Sequence, residues 1–214
     1  MALGEFLPLA AVHFLAVVSP GPDLAVTMKS SLAGGRGAGI RTALGISAGN
    51  SIHVCYTLIG IGLLLQSSPT VFLVVSLIGA AYLAYLGANM LRSAFATWRG
   101  DRPMPHEAAT TTAEADPSSS KRPFLMGFLT NATNRKTTLF FVAVFNSLVS
   151  TSTPWLQKLG YGVWMCGVSA AWFALVAAVL SRTGLRQRYY QVQHWIDAAL
   201  GALLLALAVS IAIR

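Results

Sequence analysis

Asp23, Arg135 and Lys136 stand deep inside apolar stretches of this sequence. At the centre of a membrane helix each costs ~2.5–3.5 kcal/mol on the insertion scale, so together roughly 8–10 kcal/mol if they faced lipid. They are therefore expected to face inward, where two roles are open to them. Either they pair to hold two parts of the chain together, or they bind a zwitterion, its carboxylate at the cations and its amine at Asp23. Lys29 lies six residues after Asp23 and off its helical face, so the expected partners of Asp23 are Arg135 and Lys136.

Both charged positions coincide with a flaw in the helix that carries them. In Ser19-Pro20-Gly21-Pro22-Asp23, two prolines bracket a glycine and remove amide donors, which forbids a regular helix through that point. A broken helix exposes free carbonyls on one side and free amides on the other, tolerable in a bilayer only beside a protein cavity or a wet path. The second flaw is polar: Thr130-Asn131-Ala132-Thr133-Asn134-Arg135-Lys136-Thr137-Thr138. At ~100° per residue, Thr130, Asn131, Thr133, Asn134, Thr137 and Thr138 share one arc of roughly 160°, with Arg135 and Lys136 flanking it. Unwinding at Asn134 would turn one of the two cations inward as well. Asn131-Ala132-Thr133 also fits the glycosylation acceptor pattern, but inside an apolar span it is out of reach.

Two polar stripes at helical spacing add candidates for a lined path: Asn50, His53 and Thr57, then Tyr82, Tyr85 and Asn89. For the tyrosines, packing with a satisfied hydroxyl is the competing role. His53 titrates near neutral pH and is, with Asp23, a candidate proton relay, against a hydrogen-bonded packing histidine. Cys55 and Cys166 are isolated thiols with no metal-ligand spacing; they read as small packing residues, or alternatively as the pair of a membrane thiol-disulfide electron carrier. No metal or cofactor is expected, and nothing marks an enzyme. The glycines from Gly34 to Gly39 lack the Lys-Ser/Thr of a phosphate loop and read as a tight turn. Gly45 and Gly49 form a GxxxG close-packing pair.

The elements that must hold these groups are membrane helices. Of the 214 residues 55% are hydrophobic and 10% charged, with a mean hydropathy of +0.61, whereas soluble domains carry about 25% charged residues. Six apolar runs approach the ~20 residues that cross a bilayer: 6–28, 40–65, 71–91, 124–149, 159–180 and 196–213. The first carries Glu5 and no leading Lys or Arg, and reads as a span rather than a removable signal. The net charge of +8 is a matter of topology rather than of a nucleic-acid partner. Eleven of the 15 basic residues fall in the loops 29–41, 92–122 and 182–194, while the opposite side holds Lys158 and Arg214. The positive-inside rule then makes those three loops cytoplasmic and both termini external. The aromatics Trp155, Tyr161 and Trp164 and, at the other face, Trp98, Tyr189, Tyr190 and Trp195 are placed as interfacial belts.

The fold class expected is thus all-α and polytopic. Residues 96–122, rich in Thr, Ser, Pro and Ala, read as a flexible cytoplasmic linker between a first three-helix repeat, 1–95, and a second, 123–214. An odd number of spans per half gives the halves opposite orientations, the arithmetic of an inverted repeat, in which paired interruptions mark the substrate site.

The chain also carries a resemblance. Ser-Pro-Gly-Pro-Asp at 19–23, the segments 31–39 and 43–49, Gly79-Ala-Ala-Tyr-Leu-Ala-Tyr-Leu-Gly87, Gly127-Phe-Leu-Thr-Asn131 with Asn134 and Lys136, and Gly201-Ala-Leu-Leu-Leu205 resemble the lysine exporter and threonine/homoserine exporter family. The resemblance implies a proton-motive-force-driven exporter of small amino acids or their analogues in the bacterial plasma membrane. It also implies a substrate site at Pro20, Gly21, Pro22, Asn134 and Lys136; Asp23, Asn50, Asn131 and Arg135 join these on the residue arguments above. One departure stands out: the family has Asn-Pro-Lys where this chain has Asn134-Arg135-Lys136, so the breaking proline is absent and a second cation replaces it. The partners implied are an amino acid and the lipid bilayer, with self-association left open.

Overall fold

The computed structural model describes residues 3–66, 69–99, 122–150, 152–179 and 183–213; the side chains of 3, 61–66, 69, 71, 72, 75, 135, 146 and 183–190 lie outside that description. Among the described residues the chain is all helical, in seven helices: α1 Leu3–Val18, α2 Pro22–Gln66, α3 Pro69–Trp98, α4 Pro123–Ala132, α5 Arg135–Leu148, α6 Trp155–Val179 and α7 Thr183–Ala212. Most of the expected linker, 100–121, falls outside the described residues.

Helix boundaries follow the punctuation of the sequence. α1 stops at Val18 because Pro20 and Pro22 supply no amide donor; the last bond is from the Ser19 amide to the Leu15 carbonyl, 2.9 Å. α2, α3 and α4 each open on a proline, where the missing donor costs nothing. α4 and α5 meet at Thr133-Asn134 without one. Asn134, extended at φ −75°, ψ 101°, caps α5 by accepting from the Lys136 amide at 3.1 Å. The absent proline is thereby accounted for: Arg135 is the first residue of α5, a position whose amide has no helical partner in any case, and the asparagine cap makes the break.

The expected loop 29–41 is far shorter than drawn from the charges. Helical structure runs through it apart from Gly35, at φ 74°, ψ 178°, so α2 is two helical segments meeting at one glycine. In this apolar setting Thr27, Ser31 and Thr42 direct their hydroxyls at carbonyls four residues back, and that of Thr42 also reaches the Pro123 carbonyl of α4 at 3.1 Å.

α2 packs along α4 and α6, and α3 along α7. The first contact is close because of glycines: a β-carbon on Gly45 would collide with the Phe124 carbonyl, and one on Gly127 with the Thr42 carbonyl. The GxxxG pair thus meets α4, with Gly49 against Asn131. α3 and α7 cross reciprocally, a β-carbon on Gly87 lying 2.7 Å from the Gly201 carbonyl and one on Gly201 lying 2.8 Å from that of Gly87.

Large apolar side chains are exposed on all seven helices, among them Phe14, Ile59, Ile78, Leu129, Leu139, Leu156 and Val209. An apolar surface of that extent is foreign to a water-soluble monomer and suits a lipid surround. Trp155–Val179 and Gln191–Ala212 are each long and apolar enough to cross a membrane, and Gly4–Val18 with Pro22–Gly60, bent by 49°, forms a third candidate as a broken pair.

Candidate substrate site at two helix breaks

Asp23 is the second residue of α2 and Lys136 the second residue of α5, so each stands one position inside a helix that restarts after a break. A carboxylate there suits the positive end of the helix; an ammonium does not, by ~0.3–1 kcal/mol. Lys136 is thus placed against its local preference, and what it faces explains it. Both groups, with Gly21, Pro22, Asn50, Asn131 and Asn134, line one cavity of about 70 Å³ between the breaks. Pro20 lines an adjoining open cleft of about 540 Å³, as do Tyr85 and Asn89, and Lys136 borders both spaces. Although Lys136 counts as exposed, it opens onto these spaces and lies within electrostatic reach of Asp23.

Among the described side chains the hydrogen bond to Asp23 comes from an amide rather than from a cation, and Lys136 stands within electrostatic reach of it. Oδ2 of Asp23 accepts from the Asn131 amide nitrogen at 2.8 Å, while Oδ1 is buried without a hydrogen bond. Asn131, 1% exposed, is held from both sides: Gly49 backs its side chain, and its carbonyl accepts from His53 Nε2 at 2.9 Å. That bond places the proton of His53 on Nε2, which leaves Nδ1 to accept from the Tyr56 hydroxyl at 2.6 Å. His53 is therefore fully buried one step behind the cavity, joined to Asp23 through Asn131. Asn50 donates to Ser169 of α6 at 2.7 Å and keeps its own Oδ1 unbonded. Asn50, His53 and Thr57 are all buried, as a stripe turned inward requires.

Tyr82 borders neither space and packs, half buried, against the main apolar cluster. The side chain of Arg135 lies outside the described residues. Thr133, expected on the polar arc, is exposed and bonds back to the Leu129 carbonyl, because the break at 133–134 removes it from the arc.

Three participants were missed in the sequence. His13 is 1% exposed, lines the cavity beside the rings of Phe141 and Trp164, and has no hydrogen-bond partner on either nitrogen. His13, like His53, therefore lies buried within an apolar run. Asp197, near the start of the last apolar run, accepts from Ser19 at 2.9 Å and is also within electrostatic reach of Lys136. Ser169 is the one serine of the apolar run 159–180, where it carries no signal of its own. The signal for His13 and Asp197 was present, since each is an ionisable residue in or at the edge of an apolar run.

A family profile described as LysE type translocator matches residues 14–214. The chain belongs to the LysE type translocator family. The match takes in both breaks and all the cavity residues named above except His13. Among similar proteins are the threonine efflux proteins of Escherichia coli, 29% identical over 198 residues, and of Salmonella typhi, 28% identical; each alignment covers 92% of both chains. An uncharacterized membrane protein of Pseudomonas aeruginosa is 30% identical over 203 residues, covering 92% of this chain and 89% of that one. No solved structure matches. As a LysE type translocator the chain is a membrane protein whose work is to move a solute, and the cavity between the breaks is where its sequence departs most from what lipid would accept.

Proposed function

We propose that this protein exports small amino acids or their analogues from the bacterial cytoplasm, driven by the proton-motive force, and that it binds them between the two helix breaks. One observation carries the reading: an acid and a base, Asp23 and Lys136, at equivalent positions of two restarted helices on the same cavity. A zwitterion fits this pair, its ammonium at the unbonded Oδ1 of Asp23 and its carboxylate at Lys136 near the amide end of α5. The threonine efflux proteins among its relatives support an amino acid as the solute.

The proposed topology has six spans: α1 with 22–34, 36–66, α3, α4 with α5, α6 and α7, in two inverted triplets with both termini outside. In support, the first and fourth are the broken ones, as corresponding members of two repeats would be. Asn131 hydrogen-bonds both Asp23 and His53, and the nearness of these two titratable groups to the cavity supports a role for them in coupling to protons. The thiol-carrier alternative gains nothing, since Cys55 and Cys166 are free and neither lines the cavity.

Asp23→Asn and Lys136→Gln test the site. Each should accumulate normally yet lose efflux, scored by growth on toxic amino acids and by intracellular pools, and the double variant should stay inactive. Were the charges a structural pair, either single change would lower abundance and the double would restore it. Wild-type export by both single variants would sink the assignment.

A further inference from the structure

The cleft beside the cavity contains a second carboxylate that the site described above does not use. Asp197, on α7, is 7% exposed, and its two oxygens are held by Ser19 at 2.9 Å and by Gln193 at 3.4 Å. Ser19 belongs to the first break, so the bond ties α7 to the point where α1 ends. The Oε1 of Gln193 is buried and unbonded at the same place. Lys136 lies within electrostatic reach of Asp197 as well as of Asp23. His194, next along α7 from Gln193, stands three residues before Asp197 on the same side of the helix.

Among the described residues that line the two spaces, then, two carboxylates face one ammonium, Lys136, which borders both. A single lysine compensates one carboxylate at a time, so the other is left to attract a cation of about the same size. A primary ammonium meets that need, and in the cleft it finds the charges of the inner site repeated: a carboxylate for the amine, and Lys136 for the carboxylate of the same molecule. The cleft, at about 540 Å³, falls within the ~300–1,000 Å³ usual for small-molecule sites.

We infer that the cleft is a second zwitterion site, with Asp197 receiving the substrate ammonium and Lys136 holding the substrate carboxylate, from which the amino acid passes inward to Asp23 without leaving Lys136. This inference rests on the reading of the Asp23 and Lys136 cavity as an amino-acid site. Ser19 has a place in the transfer: its hydroxyl occupies Asp197 when no ammonium does, and it lies on the border of both spaces.

Binding to single-site variants decides the matter. The full chain in lipid nanodiscs is titrated with radiolabelled L-threonine, and L-homoserine and L-alanine are run in parallel. Because both sites draw on Lys136, one molecule per chain is expected for the wild type, still one for Asp23→Asn, held in the cleft, still one for Asp197→Asn, held in the cavity, and none for the double variant. Binding lost in Asp23→Asn and retained in Asp197→Asn overturns the second site and leaves the first standing. Should Asp197→Asn fail to accumulate, Asp23→Asn alone settles the question. Binding of none of the three amino acids by the wild type overturns the parent reading, and the second site with it.

Discussion

Asn134 shows how much one side chain decides at this site. By accepting from the Lys136 amide it ends one helix and starts another where the sequence has no proline, and in doing so it places Lys136 at the second position of α5. Asn134→Ala should therefore cost about 1 kcal/mol of stability, the usual worth of such a cap. Arg135→Pro, by contrast, should be tolerated. Position 135 is the first of the helix, and the extended φ −75°, ψ 101° of Asn134 is the conformation a following proline demands. Thermal unfolding of the two purified variants checks the pair; if Arg135→Pro lowers stability more than Asn134→Ala does, the Arg135 amide has a use beyond the helix. Both this cap and the bond from Asn131 to Asp23 escape a search for charge pairs, because the groups that donate or cap are uncharged amides.

At the scale of elements, two breaks and one kink have three different origins. The first break is written in prolines, and replacing Pro20 and Pro22 together with alanine should let α1 run into α2 as a continuous helix. The protein should still insert, but efflux should fall to the level of cells lacking it; retained export at equal abundance would show that the interruption is a kink without function. Gly35 is a conformational requirement instead. At φ 74° it is strained for any L side chain, while a β-carbon there meets nothing within 4 Å, so Gly35→Ala isolates backbone strain at about 1–2 kcal/mol. Gly37→Ala is its control: equally open space, helical backbone, and an expected gain of about 0.5–1 kcal/mol. Equal Tm changes for the two would contradict the left-handed conformation at 35.

For the whole molecule, the most extensive packing joins the early helices to the late ones. α2 lies against α4 and α6, and α3 against α7. The reciprocal approach of Gly87 and Gly201 puts backbone against backbone across that join. An arrangement of this kind can rock one group of helices against another around the cavity, which alternating access demands. The expected orientation in the membrane follows from the 11 basic residues of three loops against Lys158 and Arg214. A reporter active only in the cytoplasm should be active when fused within 100–121 and silent after Arg214. The opposite pattern would invert the topology.

Membrane character, helix content and the position of the first break were determined by the sequence alone, because apolar run length and proline act locally, whatever the rest of the chain does. The nearness of positions 23 and 136 could be guessed from the cost of leaving either in lipid. What meets what was decided only in three dimensions. That Asn131 hydrogen-bonds Asp23 and that Ser19 reaches Asp197 depend on which helix faces come together. Small residues govern those faces: Gly45 and Gly127 let α2 and α4 touch at the backbone, and this contact carries Asn131 to Asp23 and His53. A glycine in a sequence says that close approach is allowed; only the packed structure says to what.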